Sequence, residues 1–262
     1  MKKAIIPITL VAALAIATII PGCAAAGPGN IVTEERDFID FSYIEVEGTF
    51  EIKITQSDSF SVIVSADNSF FDYIAVSKEG ETLRIYLNPR HTFTDFNLQA
   101  RTLKAEITMP ALYGLQLSGA STGTVSGFKS SAGFSLDISG ASSVDIEDIE
   151  ANDVEFKVSG ASKIRGNIKT TDATIEISGA SEVELAGSAH NIFLSASGAS
   201  KADLDALPLN DVEARLSGAS EASLHPKGKL DSSLSAASKL YFQGNPTMGD
   251  ISVSGASTIK HK

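Results

Sequence analysis

The chain has 262 residues, with 32 acidic against 21 basic side chains and a formal charge of −11. This charge excludes a basic nucleic-acid footprint, so we expect no nucleic-acid partner. An apolar content of 43% indicates a folded protein, and the single cysteine excludes an intrachain disulfide framework and a cysteine-based metal site.

Residues 1–22 have the pattern of a secretory signal peptide. Two lysines precede an apolar stretch from Ala4 to Ile20, which runs into Pro21-Gly22-Cys23. Because Ile20 to Cys23 resembles a bacterial lipobox, we predict a lipoprotein that is lipidated at Cys23. The protein would be exported and anchored to the cell-envelope membrane, the outer membrane if the host has one. An uncleaved N-terminal anchor is the alternative. Residues 23–37 are then a lipidated, flexible tether.

A repeat dominates the rest of the chain. Ser-Gly-Ala-Ser occurs seven times between residues 118 and 257, and Ser235-Ala236-Ala237-Ser238 is an altered eighth copy. Successive copies begin 18 to 21 residues apart. Apolar residues alternate before and after each copy, as in Leu136-x-Ile138 and Val144-x-Ile146, which predicts a strand on each side. If the chain stays extended through the motif, its Gly and second Ser point inward at a bend.

This pattern predicts an all-β fold, a parallel β-helix with about 19 to 20 residues per coil. The sequence lacks the signature of a leucine-rich repeat. An antiparallel prism or propeller, which needs longer repeats, is the second possible architecture. Residues 111–262 are the predicted regular solenoid. Residues 38–110 lack the motif but are β-patterned and rich in aromatics, so we predict irregular N-terminal coils and a cap, continuous with the solenoid as one domain. The longest loop candidate is His91 to Gln99.

Three segments together resemble the head GIN domain family of bacterial auto-transporter adhesins. They are the alternating apolar run from Phe41 to Gln56, the later Met109-Pro110-x-Leu112, and Leu117 leading into the Ser-Gly-Ala-Ser series. The resemblance covers about residues 38–262. It implies a right-handed β-helix that is secreted or lipid-anchored in a cell envelope and serves adhesion. It brings no agreed catalytic residues, and the handedness rests on it alone.

The sequence contains no constellation typical of catalysis, cofactor binding or metal binding, because its four histidines are isolated and no nucleophile motif is present. We therefore predict a non-enzymatic, adhesion-type surface-binding module, with a glycan or a protein as ligand. The candidate binding face is a ladder of small outward residues: Ser139, Ala141, Ser159, Ala161, Ser178 and Ala180.

Two other functions stay open. A carbohydrate-active enzyme, a polysaccharide lyase or hydrolase, would use the acidic cluster of Asp145, Glu147 and Asp148, with Lys163 or Arg165 one coil on as the base. The alternative reading of that cluster is a solvated acidic flank. A structural or signalling-associated envelope scaffold would instead stack its rods by self-association.

Overall fold

The computed structural model describes residues 30–88 and 103–262 of the chain. Within them, strands make up nearly all of the regular structure. The strands are β1 (Ile31–Glu35), β2 (Tyr43–Gly48), β3 (Glu51–Gln56), β4 (Ser61–Asp67), β5 (Ile74–Glu79), β6 (Thr82–Leu87), β7 (Leu103–Met109), β8 (Gly114–Gly119), β9 (Thr122–Ser126), β10 (Phe134–Ile138), β11 (Ser143–Val158), β12 (Lys163–Ile177), β13 (Glu182–Ala196), β14 (Lys201–Leu209), β15 (Asp211–Leu216), β16 (Glu221–Pro226), β17 (Lys229–Leu234), β18 (Lys239–Phe242), β19 (Thr247–Val253) and β20 (Thr258–His261). The helix α1 spans Asn68–Phe71.

The strands wind into a β-solenoid of about seven turns, which confirms the predicted fold class. In each regular coil, the strand before the Ser-Gly-Ala-Ser motif pairs in parallel with its equivalents in the neighbouring coils. We call this wall sheet A; it includes β2, β8, β10, the second halves of β11 to β13, β15, β17 and β19. The strand after the motif belongs in the same way to a second wall, sheet B, which ends at β18 and β20.

The core lies between these walls and follows the predicted alternation. Leu136 and Ile138 precede a motif, Val144 and Ile146 follow it, and all four are at most 3% exposed. Equivalent aliphatic residues in the neighbouring coils stack on them in register. Each coil therefore buries its apolar face only by lying between two others, and stability depends on neighbouring-coil contacts.

The prediction of an inward-pointing Gly at the motif is wrong, because the chain does not stay extended there. The motif forms a turn in which Gly140 and Gly160 have φ of +77° and +78° and are exposed. A Cβ added to Gly160 would lie 2.3 Å from the carbonyl oxygen of Gly140 in the preceding coil. The motif requires Gly because its backbone is left-handed at this position and because two neighbouring coils approach each other closely there. A narrow interior is not the reason.

The second Ser of each motif does point inward. Ser142, Ser162 and Ser181 are at most 2% exposed. Hydroxyl-to-hydroxyl contact occurs between Ser238 and Ser257, at 3.2 Å. Most other hydroxyl contacts of these residues are with backbone: the Ser220 hydroxyl, for example, donates to the carbonyl of Ser217 at 2.8 Å. Several of these serines therefore tie their turn to itself or to an adjacent coil, and they do not form a continuous chain of hydroxyl-to-hydroxyl bonds.

The N-terminal third closes one end of the solenoid, and its coils do not stack in sequence order. The coil of β2 and β3 lies between the coil of β6 and β7 and the coil of β8 and β9. Antiparallel strands then cover the outermost coil, β5 against β6 and β4 against β7, with β1 against β4. β1 lies within residues 23–37, which the sequence assigned to the tether, so Ile31–Glu35 are part of the folded structure.

The other end of the solenoid is open within the described chain. β19 pairs only with β17, and β20 only with β18. Ile251 and Val253 are 36% and 43% exposed, whereas Leu234, which pairs with Val253 one coil earlier, is 1% exposed. The last coil therefore presents both apolar side chains and unpaired backbone groups.

The predicted signal peptide, Cys23 and the loop His91 to Gln99 lie outside the described residues. Within the described ranges, no helix has the length and apolar character needed to cross a bilayer.

Candidate functional site

The small-residue ladder predicted as a binding face forms a ridge at the corner between sheets A and B. Ser139, Ser159 and Ser178 are half-buried, and Ala141, Ala161 and Ala180 are exposed. The amides of Ser159 and Ala161 donate to carbonyls of the preceding coil at 2.9 and 2.8 Å. The ridge thus offers a ligand mainly methyl groups and partly covered hydroxyls, and its role in binding stays a prediction.

The acidic cluster lies on the outer surface of sheet B. Asp145, Glu147 and Asp148 are exposed, and Asp148 has φ of +55° at an irregularity between Ile146 and Ile149. The two bases proposed to serve this cluster point to the following coil instead. Lys163 pairs with Glu182, and Arg165 pairs with Glu184 at 3.1 Å. In this arrangement both bases already have carboxylate partners outside the cluster.

Among the residues that the structure describes, no group of three or more His, Cys, Asp or Glu side chains is placed to hold a metal ion.

A more concave surface runs along the outside of sheet A. Four adjoining depressions, with volumes between about 350 and 590 Å³, share lining residues from one to the next. Glu155 lines the first and second, Asp172 the second and third, and Asp231 the third and fourth. We call this continuous surface the trough. It crosses ten strands of sheet A, from β6 to β19, which gives it a length of about 43 Å at the usual strand spacing.

The floor of the trough is a column of outward residues, one per coil. Strand register aligns Tyr43, Gly114, Ser135, Glu155, Thr174 and Phe193 in this order. The column continues through Glu213 to Asp231. Period-two alternation places these side chains outward because their neighbours on each strand face the core.

Two tyrosines mark the N-terminal end of the trough. Tyr43 is 40% exposed, and its ring centroid is 6.3 Å from that of Tyr113 with an interplanar angle of 63°. A Cβ on Gly114 would lie 2.7 Å from Cδ1 of Tyr43 and equally close to Oγ of Ser135. The Tyr43 ring therefore occupies the space above Gly114, which only glycine leaves free.

Three ion pairs lie along the trough. Lys157 pairs with Glu155 at 2.7 Å, Arg215 with Glu213 at 2.6 Å, and Lys229 with Asp231 at 2.8 Å. The hydrogen bond that Lys157 donates to Glu155 raises the pKa of Lys157, and the bond that Lys229 donates to Asp231 raises the pKa of Lys229. That same bond lowers the pKa of Asp231. These bonds therefore favour the charged forms of Lys157, Lys229 and Asp231.

Carboxylates also line the trough without a cationic partner among the described residues. Asp153 accepts a hydrogen bond from the Asn152 amide at 2.8 Å, and Asp172 accepts one from Asn191 at 2.8 Å. Asp137 lies on the far side of the floor column, beside Lys157 of the next coil. The net charge of the trough is negative as a result.

Sequence reasoning missed the trough although part of its signal was visible. An Asp or Asn recurs before most motifs, as at Asp153, Asp172, Asn191 and Asp211, and these residue types are common in turns. In the structure these residues align in neighbouring coils on one side of the trough. Tyr43 and Tyr113 lie far apart in the sequence, so only coil stacking brings their rings together.

Comparison with known proteins agrees with this architecture. The family model for the putative auto-transporter adhesin, head GIN domain, matches residues 40–246. The chain belongs to this family. No curated protein matches the chain.

Several solved structures share the fold at low sequence identity. A putative adhesin from Parabacteroides distasonis superposes with a TM-score of 0.81 at 14% identity, covering 90% of this chain and 98% of that one. A putative adhesin from Parabacteroides merdae gives a TM-score of 0.76 at 16% identity with the same coverage. A protein from P. distasonis described as a putative lipid binding protein gives 0.73 at 19%, again covering 90% and 98%. The family and these neighbours are named for adhesion or lipid binding.

Proposed function

We propose that this protein is a lipid-anchored, non-enzymatic surface-binding module of the bacterial cell envelope, and that the trough on sheet A is its binding surface. The single observation that carries the proposal is the continuity of the trough, which presents aromatic, acidic and basic side chains along the whole rod. Family membership supports adhesion, and the lipobox-like sequence ending at Cys23 supports the anchor.

The anchor is tested by labelling cells with an alkyne-bearing palmitate analogue. The wild-type chain should become labelled and remain with the membrane fraction, whereas Cys23→Ala should do neither. Labelling of Cys23→Ala at the wild-type level would contradict lipidation at this residue. Adhesion is tested with beads that carry the purified protein, applied to a panel of intact bacterial and epithelial cells. Retention on at least one surface above that of albumin-coated beads is expected, and no retention on any of them would refute the adhesion function.

A scaffold role is the second candidate, and the open C-terminal end favours it. The partner would be a second copy, because the opposite end of the rod is covered by antiparallel strands and offers no matching parallel edge. Two copies that met by their last coils would bring their edge strands together antiparallel and cover Ile251 and Val253. Light scattering should then show a concentration-dependent dimer that Val253→Lys abolishes and Ser195→Lys, on the outer face of sheet A, preserves. A wild-type chain that stays monomeric would refute this role.

The enzymatic alternative finds less support, since Lys163 and Arg165 are paired away from the acidic cluster. Asp145→Asn and Glu147→Gln test it directly, because an enzyme that uses these carboxylates would lose any polysaccharide-cleaving activity in both variants.

A further inference from the structure

We propose that the trough binds a neutral glycan chain that lies along the rod and stacks on Tyr43 at its N-terminal end. This inference rests on the proposed binding function and specifies its ligand. It is carried by three features of the trough: its direction across the strands, its exposed tyrosine, and its mixture of paired and unpaired charges.

The direction of the trough disfavours an extended peptide as ligand. The floor strands from β2 to β17 are each paired on both sides within sheet A, so their backbone donors and acceptors are already used. A peptide that adds to a sheet needs a free edge, which the strands from β2 to β17 lack. A ligand in the trough must bind through side chains, and it meets a new outward side chain about every 4.8 Å along the stack.

The tyrosine pair offers a platform for an apolar face. Tyr43 lies above Gly114 and remains 40% exposed, and the ring of Tyr113 stands beside it at an angle of 63°. A pyranose ring has one face of C–H groups and a periphery of hydroxyls. It can therefore cover the exposed ring while its hydroxyls reach Ser135, Asp137 and the Glu155–Lys157 pair beside it.

The charges suit a neutral chain and disfavour an anionic one. The three ion pairs offer donors and acceptors side by side, which suits hydroxyl groups because each hydroxyl both donates and accepts. A uronate or sulfated chain would face the unpaired carboxylates Asp153 and Asp172, and the net negative charge of the trough would repel it.

The test uses the purified protein with a panel of neutral glucan, mannan, galactan and xylan oligosaccharides, compared with polygalacturonate and chondroitin sulfate. Binding is measured by calorimetry and affinity electrophoresis. At least one neutral glycan should bind, more tightly than either polyanion. Tyr43→Ala should weaken that binding by about tenfold, the usual effect of truncating an aromatic anchor. Tyr241→Ala, a truncation on the outer face of sheet B, should leave it unchanged.

Folding of each variant is checked by its far-ultraviolet spectrum and denaturation midpoint, and Tyr43→Phe, which keeps the ring, should retain most of the affinity. The proposal is overturned if no neutral glycan binds, if a polyanion binds more tightly, or if Tyr43→Ala binds as the wild type does. Phosphatidylcholine vesicles form a further arm, and binding of vesicles in place of glycans would overturn it in favour of a lipid ligand. If the coated beads still adhere to cells while all glycans fail, the binding function stands and only the ligand class falls.

Discussion

The stacked motif glycines can be tested by adding one methyl group to one coil. Gly160 has φ of +78°, and its added Cβ would lie 2.3 Å from the Gly140 carbonyl oxygen and 3.0 Å from the Gly140 amide nitrogen. That carbonyl already accepts a hydrogen bond from the Ala161 amide at 2.8 Å, so it has no room to retreat without weakening the coil-to-coil pairing. Gly160→Ala should therefore destabilise the solenoid through two separate effects.

The magnitude follows from these two effects. A left-handed backbone costs alanine about 1–2 kcal/mol, and a contact that forces backbone to shift costs about 1–3 kcal/mol more. The reduced entropy of the unfolded chain returns about 0.4–1 kcal/mol. We expect a net loss of about 2–4 kcal/mol in the free energy of unfolding. With an m value of about 2–3 kcal/mol/M, the urea midpoint should fall by roughly 1 M.

Gly80 provides the matched control. It lies between β5 and β6 with φ of +59°, and nothing lies within 4 Å of an added Cβ. Gly80→Ala keeps the backbone cost without the collision, so it should lose only about 0.5–1 kcal/mol. Urea unfolding followed by circular dichroism measures both variants. Equal losses for Gly160→Ala and Gly80→Ala would refute the argument that the coils approach too closely for a side chain.

Three further predictions concern other positions. Ala236 is the one non-glycine in the described glycine column and has φ of +64°, so Ala236→Gly should raise the free energy of unfolding by about 0.5–1 kcal/mol in the same urea assay; a loss of stability would contradict the strain assigned to it. Asp205 forms an ion pair with the Lys262 side chain and so holds the last coil in place. Asp205→Asn should speed amide hydrogen exchange in Thr258–His261 without changing the urea midpoint of the whole protein, and unchanged exchange would argue against this role of the ion pair. Lys163 lowers the pKa of Glu182 below its ordinary 4.5, so the stabilisation from this ion pair is present at neutral pH and is lost as the pH falls below about 4.5. Glu182→Gln should therefore lower the free energy of unfolding by at most ~1 kcal/mol at pH 7. A difference from the wild type that persists at pH 3 would be inconsistent with this reasoning.

Much of the fold could be predicted because each coil of a solenoid has a repeated local pattern of apolar and small residues. The alternating apolar run from Phe41 to Gln56, noted in the sequence, contains both β2 and β3. β1 was missed because its residues, Ile31 to Glu35, have little burial and gain their strand character from pairing with β4. Local pattern indicates a buried strand more clearly than one held mainly by its neighbour.

The candidate site was much less predictable than the fold. The Ser and Ala ladder was predicted to be the binding face because it repeats in every coil. The repeat instead reflects what the backbone requires at Gly140 and Gly160. The trough depends on Tyr43 and Tyr113 meeting across coils, and on ion pairs such as Lys157 with Glu155, whose side chains stand two residues apart on one outward face. These features are irregular within a regular scaffold, so a search for repeats passes over them.

The sequence by itself determined the coil: a period of 18 to 21 residues, alternation with a period of two, and a small-residue turn leave few ways to bury the aliphatic face except stacking in register. Only the tertiary structure decided the order of the coils at the N-terminal end, where β2 and β3 insert between β6 and β8 and between β7 and β9. It also decided which outward side chains meet to form the trough. The physical reason is that the alternation of apolar and polar residues is a property of neighbours along the chain. Contact between coils depends instead on which strands pair, and that pairing is decided by packing between residues far apart in the sequence.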